Sequence, residues 1–272
     1  MIIITLLVEI ISISKKKEDN VFRKLLLSVL TVLLSAGAAV AAHPLITDDA
    51  GTQGKGKGQL ELNGQYGRDN NDGSIQHTTP AASTITYGVI DTVDVIIGVP
   101  YQWIKTDDSG EATRHDGLGD LVIAAKWRIY ETDGWSFAIK PGITFPTGDK
   151  DKELGTGRTT YSVFFITTKE LKPWAFHLNL GYIGNENKLE QRVSLWHASM
   201  AAEVEVTKGL RLVANAGIQK NADKSSNTDP AFLLGGIIYS ISENIDIDAG
   251  CKYGLTKPEA DHAVLAGLTF KF

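Results

Sequence analysis

The chain has 272 residues, a formal net charge of −5 and a single cysteine. An acidic balance makes it a poor binder of nucleic acid, and the lone Cys251 excludes an internal disulfide. We therefore expect no nucleic-acid partner, and a fold that is held together without covalent cross-links.

The N-terminal part has the order of a secretory signal peptide. Residues 25–42 (LLLSVLTVLLSAGAAVAA) are uncharged, follow Arg23 and Lys24, and end in small residues. This order predicts that residues 1–42 are an extension and signal peptide, cut after Ala42 or, one residue earlier, after Ala41. An uncut membrane helix is the alternative, and the small-residue ending disfavours it. No later run is apolar enough for such a helix, so a membrane-spanning mature chain must be a closed barrel.

The mature chain begins with a polar stretch and continues with alternating strands. Residues 43–57 (HPLITDDAGTQGKGK) are rich in glycine and predict an arm in the periplasm. Residues 58–272 alternate apolar and polar side chains with the period of two that strands require. They predict twelve strands, at 59–68, 79–89, 93–104, 120–130, 135–145, 159–168, 174–182, 192–206, 210–219, 231–241, 244–254 and 261–272. The strands at 159–168 and 231–241 do not show clearly which side chains face outward.

The connections and the last strand favour an antiparallel up-and-down transmembrane barrel over a soluble β-sandwich. Short turns at one end alternate with mostly longer, charged loops at the other, as in outer-membrane barrels. The chain ends on an amphipathic strand whose final residue is Phe272. A terminal aromatic residue resembles the signal by which the barrel-assembly machinery recognises such proteins. We therefore predict the cell outer membrane as the location, with its lipid as a partner.

Charge predicts which row of side chains faces the lumen. In each strand one row is apolar and the other carries the charges, which are costly against lipid. The predicted outward residues include Leu121, Ile123, Trp127, Ile139, Leu178, Leu212 and Ile247. The candidates to line the lumen are Glu61, Asp94, Asp120, Lys126, Arg128, Lys140, His177, Glu203, Glu205, Arg211, Asp246, Asp248 and Lys252. Their charges, together with Lys271, nearly balance, which favours ion pairs in a narrow lumen over a wide pore of one sign.

Four stretches resemble a family of exported proteins named for a putative MetA pathway of phenol degradation. They are HPLITDDAGTQGKGKGQLELN (43–63), GVIDTVDVIIGVPY (88–101), GLGDLVIAAKWRIY (117–130) and KPGITFPTGDKDKELGTGR (140–158). The resemblance covers most of the mature chain and implies an outer-membrane barrel of Gram-negative bacteria, of a type often called a transporter. Its motifs are structural, so it implies no particular solute.

Two sets of acidic residues invite a chemical interpretation that the pattern does not favour. Asp48 and Asp49 would suit a cation or a periplasmic partner, but such pairs more often cap a loop. Asp149, Asp151 and Glu153 suggest calcium, yet lysines separate them and no binding loop of known spacing surrounds them. We therefore expect neither a metal nor a cofactor.

His197 and Ser199 lie two apart on one strand, as a His and a Ser do in outer-membrane phospholipase A, where the imidazole accepts the serine proton. Here the pair lies on the polar row and not on the lipid side, and the rest of that enzyme's motif is absent. We expect the protein not to be an enzyme.

The sequence thus leaves three hypotheses for function. The first is a passive channel for small, including hydrophobic or aromatic, solutes. The second is a structural or interaction barrel with a filled lumen, and the third is a lipid-modifying enzyme that uses His197 and Ser199.

Overall fold

The structure, a computed structural model, describes residues 43–71, 74–108 and 111–272. The predicted signal peptide at residues 1–42 lies outside this range, so its cleavage stays a prediction. Among the described residues, no helix combines the length and the apolar character needed to cross a membrane.

The described chain is almost entirely β-structure. Its strands are β1 (Gly58–Asn71), β2 (Ser74–Ile90), β3 (Val93–Asp108), β4 (Glu111–Leu118), β5 (Leu121–Thr132), β6 (Trp135–Phe145), β7 (Thr160–Leu171), β8 (Trp174–Gly184), β9 (Ser194–Thr207), β10 (Leu210–Gln219), β11 (Ala231–Ser242), β12 (Ile245–Gly254) and β13 (His262–Lys271). One 3₁₀ turn, Lys150–Lys152, lies in the loop between β6 and β7.

Neighbouring strands pair antiparallel all the way round, and the pairings of β1 with β13 and of β2 with β3 close the sheet. β4 and β5 both pair with β3, at its far and near halves respectively. They therefore act as one strand with a break at Gly119 and Asp120. The wall is a closed antiparallel barrel of twelve strands, as the sequence predicts.

Two predicted loops are strands in the structure. Residues 69–78 and 105–119 were expected to be loops because they are polar and rich in glycine, but backbone pairing continues to the tips of the β1–β2 and β3–β4 hairpins. A strand that extends beyond the apolar zone has water on both faces, so it needs no apolar row. Composition alone therefore predicts where the apolar zone ends, but it does not predict where the strand ends.

The outer surface carries an apolar band with aromatic residues at both edges. Near the short turns, Trp135 stacks on Phe137 at 5.9 Å and Trp174 stacks on Phe176 at 6.1 Å between ring centroids. At the other end of β8, Tyr182 is exposed eight positions from Trp174. That separation is about 27 Å along a strand, which suits a tilted strand in the apolar band of an outer-membrane barrel.

The rows face as the charge pattern predicts, and the two unclear strands are now assigned. Ile123, Trp127, Leu212 and Ile247 are exposed on the outside, and Leu121, Ile139 and Leu178 are partly exposed. In β7, Phe165 is exposed, whereas Phe164 packs against a buried cluster. In β11, Leu233 and Ile237 are exposed, whereas Phe232, Leu234 and Ile238 are buried.

The C-terminus completes the barrel at the end with the short turns. The backbone N–H of Phe272 donates to the carbonyl of Gly58 at 2.8 Å, and the N–H of Gly58 donates back at 2.7 Å. A β-carbon on Gly58 would lie 2.6 Å from the Phe272 ring, so only glycine lets the ring lie there. Recognition of this strand by the assembly machinery stays a prediction.

Candidate functional site

Residues 43–57 are hereafter called the inner segment. Residues 43–53 lie inside the barrel, whereas Lys55 and Gly56 are exposed in the turn that leads into β1. We expected this stretch to be an arm in the periplasm, but Thr47, Asp49, Ala50, Thr52 and Gln53 are all buried. The inner segment enters at the short-turn end, beside the first residue of β1, and then follows the inner wall. It contacts β3, β5 to β8, β10 and β12 in turn.

Uncharged side chains of the wall bind the backbone of the inner segment. The Asn179 amide accepts from the N–H of Asp48 at 2.8 Å and donates to its carbonyl at 2.7 Å. Asn215 accepts from the N–H groups of Ile46 and Thr47 at 2.7 and 3.1 Å. A segment with no strand partner still needs its backbone groups satisfied when buried, and these side chains satisfy them.

Ion pairs hold the middle of the inner segment against β5 and β6. Asp48 accepts from Lys126 at 3.2 Å and from Lys140 at 2.6 Å, and Lys126 also donates to the carbonyl of Asp49 at 3.3 Å. The Lys126 side chain is only 2% exposed, so its charge depends on these partners. On β3, both oxygens of Asp94 accept from the N–H of Gln53 at 3.1 Å.

A second ionic network joins wall strands to each other. Arg211 donates to Glu203 at 2.8 Å and to Asp246 at 3.5 Å, and Lys271 donates to Asp246 at 2.8 Å. His177 Nε2 lies 3.2 Å from Glu203, outside hydrogen-bonding geometry. These charges cross-link β9, β10, β12 and β13 around the inner segment.

Four further candidates lie near the two ends of the barrel. Asp120 accepts from the N–H groups of Gly148 and Thr156 and so anchors the β6–β7 loop. Lys252 pairs with Glu259 in the loop after β12 at 2.7 Å. Arg128 and Glu205 lie at the short-turn end, where Glu205 is exposed and accepts from the N–H of Gly209. Alternation along a strand carries no information on their height in the barrel.

A cavity of about 220 Å³ separates the inner segment from the opposite wall. Uncharged polar residues and Glu61 line the wall side on β1 and β2. Asp48, Lys126 and Lys140 lie on the other side. Its lining also includes Gln59, Asn63, Thr84, Thr86 and Ile96. Such a volume holds several water molecules, each of which occupies about 30 Å³ in the liquid.

Aromatic side chains also point into the interior. The ammonium of Lys140 lies 5.7 Å from the ring centroid of Phe164, and that of Lys252 lies 5.8 Å from the ring centroid of Phe232. Both distances fall within the range of a cation–π contact. The interior therefore offers aromatic faces as well as charge.

His197 and Ser199 do form a hydrogen-bonded pair. His197 Nε2 lies 2.9 Å from the Ser199 hydroxyl, and Nδ1 lies 3.3 Å from the Gln219 side-chain oxygen. Ser199, however, is 4% exposed and belongs to the inward row, behind the exposed Trp196 and Met200. An acyl chain in the membrane cannot reach this hydroxyl in the arrangement described.

The long loops at the other end contact one another. Asp229 accepts from the N–H of Asn221 and from the Lys220 ammonium, both at 3.0 Å, and these bonds lower the pKa of its carboxyl group. Arg192, from the β8–β9 loop, donates to the carbonyl groups of Asp223 and Lys224. Within the described ranges, no group of three or more histidine, cysteine or acidic side chains is placed to hold a metal ion.

The sequence profile of the family described as "Putative MetA-pathway of phenol degradation" matches residues 41–272. The chain belongs to that family. No curated protein matches it.

Solved structures place the fold among outer-membrane barrels. A crystal structure of the COG4313 outer membrane channel from Pseudomonas putida F1 is similar, with a TM-score of 0.67 and 14% identity over 82% of this chain and 98% of that one. The KdgM porin is similar with a TM-score of 0.52 and 7% identity, over 79% and 99% of the two chains. At such identities the likeness shows the fold alone.

Sequence reasoning did not identify the uncharged residues that hold the inner segment. Asn179, Asn215 and Thr168 were not among the candidates, because only charged residues and His177 were selected. Thr168 accepts from the N–H of Ala50 at 2.9 Å. The signal that could have identified them is an uncharged polar side chain on the inward row. Such a side chain must find a hydrogen-bond partner inside the barrel.

Proposed function

We propose that the protein is a passive outer-membrane channel for small solutes, and that the inner segment sets what passes. The cavity of about 220 Å³ between that segment and the β1–β3 wall carries the proposal. The cavity is of the size of a small molecule, and it lies at the height at which the inner segment crosses the barrel. The similarity of this chain to the COG4313 outer membrane channel and to the KdgM porin supports a channel over other barrel functions.

The charges around the cavity favour uncharged solutes. Asp48 faces Lys126 and Lys140, so opposite charges neutralise each other at this level. A filter that selects ions of one sign would carry a ring of one charge. We therefore expect small molecules that carry little or no charge to pass the paired charges and amide groups most readily.

An inward ring extends the proposal to aromatic solutes. Phe164 is partly exposed to the interior beside the Lys140 ammonium, whereas Phe232 is buried in a cluster with Leu234 and Leu265. A flat apolar molecule can stack on such a ring while its polar group contacts the ammonium. The family description, which refers to phenol degradation, points to the same class of compound.

Purified protein in planar bilayers and in proteoliposomes tests the channel. We expect a small conductance and a measurable influx of phenol from the unchanged protein. A variant that lacks residues 43–50 should conduct several times more and lose its discrimination against larger sugars, because the obstruction is gone. Arg158→Gln, at an exposed loop, is the matched control and should leave both readouts unchanged. Absence of conductance and of flux in both the unchanged and the shortened protein would refute the proposal.

The second candidate function is a structural or interaction barrel with a filled lumen. Bonds from at least seven strands hold the inner segment, and the contacts between the outer loops give a shaped surface. In that case the shortened variant should conduct but the unchanged protein should not.

The lipid-modifying enzyme is the third candidate, and it rests on the His197–Ser199 hydrogen bond alone. Hydrolysis of phospholipid vesicles by the purified protein, abolished by His197→Ala and by Ser199→Ala, would support it. Hydrolysis that persists in His197→Ala would exclude this pair as its source.

A further inference from the structure

A row of basic residues crosses one face of the barrel wall near its long-loop end. Direct antiparallel pairing aligns these residues across neighbouring strands, in the order His262 (β13), Arg68 (β1), His77 (β2), Lys105 (β3) and Arg114 (β4). Directly paired residues project from the same face of a sheet. The five side chains therefore form one row, hereafter the basic row, which spans about 19 Å at the usual spacing between strands.

Exposed aromatic side chains show that the basic row faces outward. Tyr66 and Trp103 lie two positions before Arg68 and Lys105 on β1 and β3, and they are 52% and 47% exposed. The Tyr66 hydroxyl lies 2.8 Å from Nδ1 of His77, and the two rings stack with 5.7 Å between their centroids. Because side chains two apart on a strand share a face, the basic row belongs to the outer surface.

The basic row lies at the height of lipid head groups. Two residues along a strand cover about 7 Å, so the row lies just beyond Tyr66 and Trp103. Aromatic residues of this kind mark the edge of the apolar zone in outer-membrane barrels. The long loops of such barrels lie on the extracellular side, so the head groups at this end belong to the outer leaflet.

Acidic neighbours balance only part of the charge of the basic row. Lys105 pairs with Asp107 at 2.5 Å, and Asp116 on the same face accepts from a tyrosine hydroxyl. Arg68 and Arg114 form no salt bridge with any residue that the structure describes. Arg114 is exposed and Arg68 is partly exposed. Both guanidinium groups are thus accessible to an anion at head-group height, although the chain as a whole has a net charge of −5.

The basic row lies on the longest hairpins of the barrel. On β7, β8 and β9 the outward residues at this end are the exposed Tyr161, Tyr182 and Trp196, none of which is basic. These strands end near the aromatic residues, whereas backbone pairing in the β1–β2 and β3–β4 hairpins continues beyond them. The extension of these two hairpins holds Arg68, His77, Lys105 and Arg114 on a rigid sheet instead of on loops.

We propose that the basic row binds the phosphate groups of lipid A, the membrane-embedded part of the lipopolysaccharide in the outer leaflet. Arginine suits phosphate because its planar guanidinium donates two parallel hydrogen bonds to it. Lipid A carries phosphate at both ends of its head group, and a row about 19 Å wide can contact two phosphates at once. Its acyl chains would cover the exposed apolar residues below the row, which free phosphate cannot do. The proposal rests on the predicted outer-membrane location and is independent of any transported solute.

Titration of the folded protein with lipid A tests the role of phosphate. The protein is held in a neutral detergent, and microscale thermophoresis measures binding of lipid A that carries two, one or no phosphate groups. We expect the form without phosphate to bind about tenfold or more weakly than the form with two. Added salt should weaken binding of the phosphorylated forms most, because it screens charges at the surface. Inorganic phosphate at the concentration of the lipid should not compete.

Variants then assign the binding to the basic row. A lysine or arginine near an anionic membrane surface contributes about 1 kcal/mol, which is roughly a fivefold change in affinity. Arg68→Gln and Arg114→Gln should therefore each weaken binding about fivefold, and the double variant about 25-fold. Replacing both arginines by lysine keeps the charge and should weaken binding less. Lys172→Gln with Lys208→Gln removes the same charge at exposed positions of the short-turn end and should leave binding unchanged.

Four results would overturn the proposal. They are equal binding of lipid A with and without phosphate, unchanged binding in the double variant, an equal loss in the short-turn control, and full competition by inorganic phosphate. The last result would assign the row to free phosphate instead of lipid. Folding of each variant is judged by its heat-dependent migration in electrophoresis. If the double variant does not fold, Arg114→Gln at its exposed position and the lipid without phosphate decide in its place.

Discussion

The outward and inward rows of side chains lie on the same strands, but different surroundings restrict which residues each row can contain. The outward row is apolar and needs only lipid, so its residues depend on the membrane and hardly on each other. The inward row is polar, and its buried members such as Lys126 and Asn215 depend on a segment that lies far away in the sequence. The outer row should therefore tolerate any apolar residue, whereas the inner row should tolerate only residues that keep particular partners.

The strongest test of this difference places the same charge on each row in turn. Ile123 is exposed on the outside, and the neighbouring Ala124 faces the interior beside the cavity-lining Ile96. Ile123→Arg should prevent assembly or cost about 2–4 kcal/mol, because the charge meets lipid near mid-membrane. Ala124→Arg should cost less. Urea unfolding in lipid vesicles measures both, and equal losses would mean that the rows do not differ.

A smaller effect is expected when the inner row loses one charge. Asp48→Asn removes the carboxylate that pairs with Lys126 and Lys140. We expect a loss of about 1.5–3 kcal/mol, the usual worth of hydrogen bonds to charged groups. Unfolding free energies of this variant and of Asp151→Asn, an exposed loop carboxylate, give the comparison. Similar values for the two would show that the ion pairs inside the barrel contribute nothing.

An uncharged inward residue should matter nearly as much. Asn215 is 2% exposed and bonds both the inner segment and the carbonyl of Met200. Asn215→Ala leaves buried backbone groups without partners, which costs about 1–3 kcal/mol. The control is Asn227→Ala in the exposed β10–β11 loop, measured by the same unfolding assay. No difference between the two variants would contradict the contacts described for Asn215.

The smallest effect is expected outside the barrel wall. Arg158 and Glu186 lie 3.7 Å apart, and both side chains are more than half exposed. Arg158→Gln should change the unfolding free energy by less than about 0.5 kcal/mol. A loss as large as that of Asp48→Asn would show that the loops, and not the inner segment, stabilise the structure.

Local pattern predicted the wall but not its contents. The bounds of β6 and β10 follow from alternation alone. Side chains along these strands face lipid and lumen in turn, so the environment of each residue depends only on its own row. The inward position of Phe164 does not follow, because Phe165 beside it is equally apolar. A β-carbon on Gly181 would overlap the Phe164 ring, so a glycine on the next strand makes room for it. Such information comes from a pairing partner and not from the strand itself.

The inner segment could not be placed from its own composition. A polar, glycine-rich stretch looks the same whether water or a polar lumen surrounds it. What distinguishes the two cases is the set of inward amide and hydroxyl groups on distant strands, such as Asn179 and Thr168. Only the closed barrel shows that these groups meet one segment.

Cysteine labelling most directly tests the claim that the inner segment occupies the lumen. In a Cys251→Ser background, Thr47→Cys and Lys55→Cys are treated with a polar maleimide in isolated outer membranes. Thr47 is 1% exposed, whereas Lys55 is exposed near the short-turn end. We predict slow labelling at position 47 and fast labelling at position 55, with Asp48→Asn accelerating only the former. Fast labelling at both positions in the otherwise unchanged protein would contradict the account.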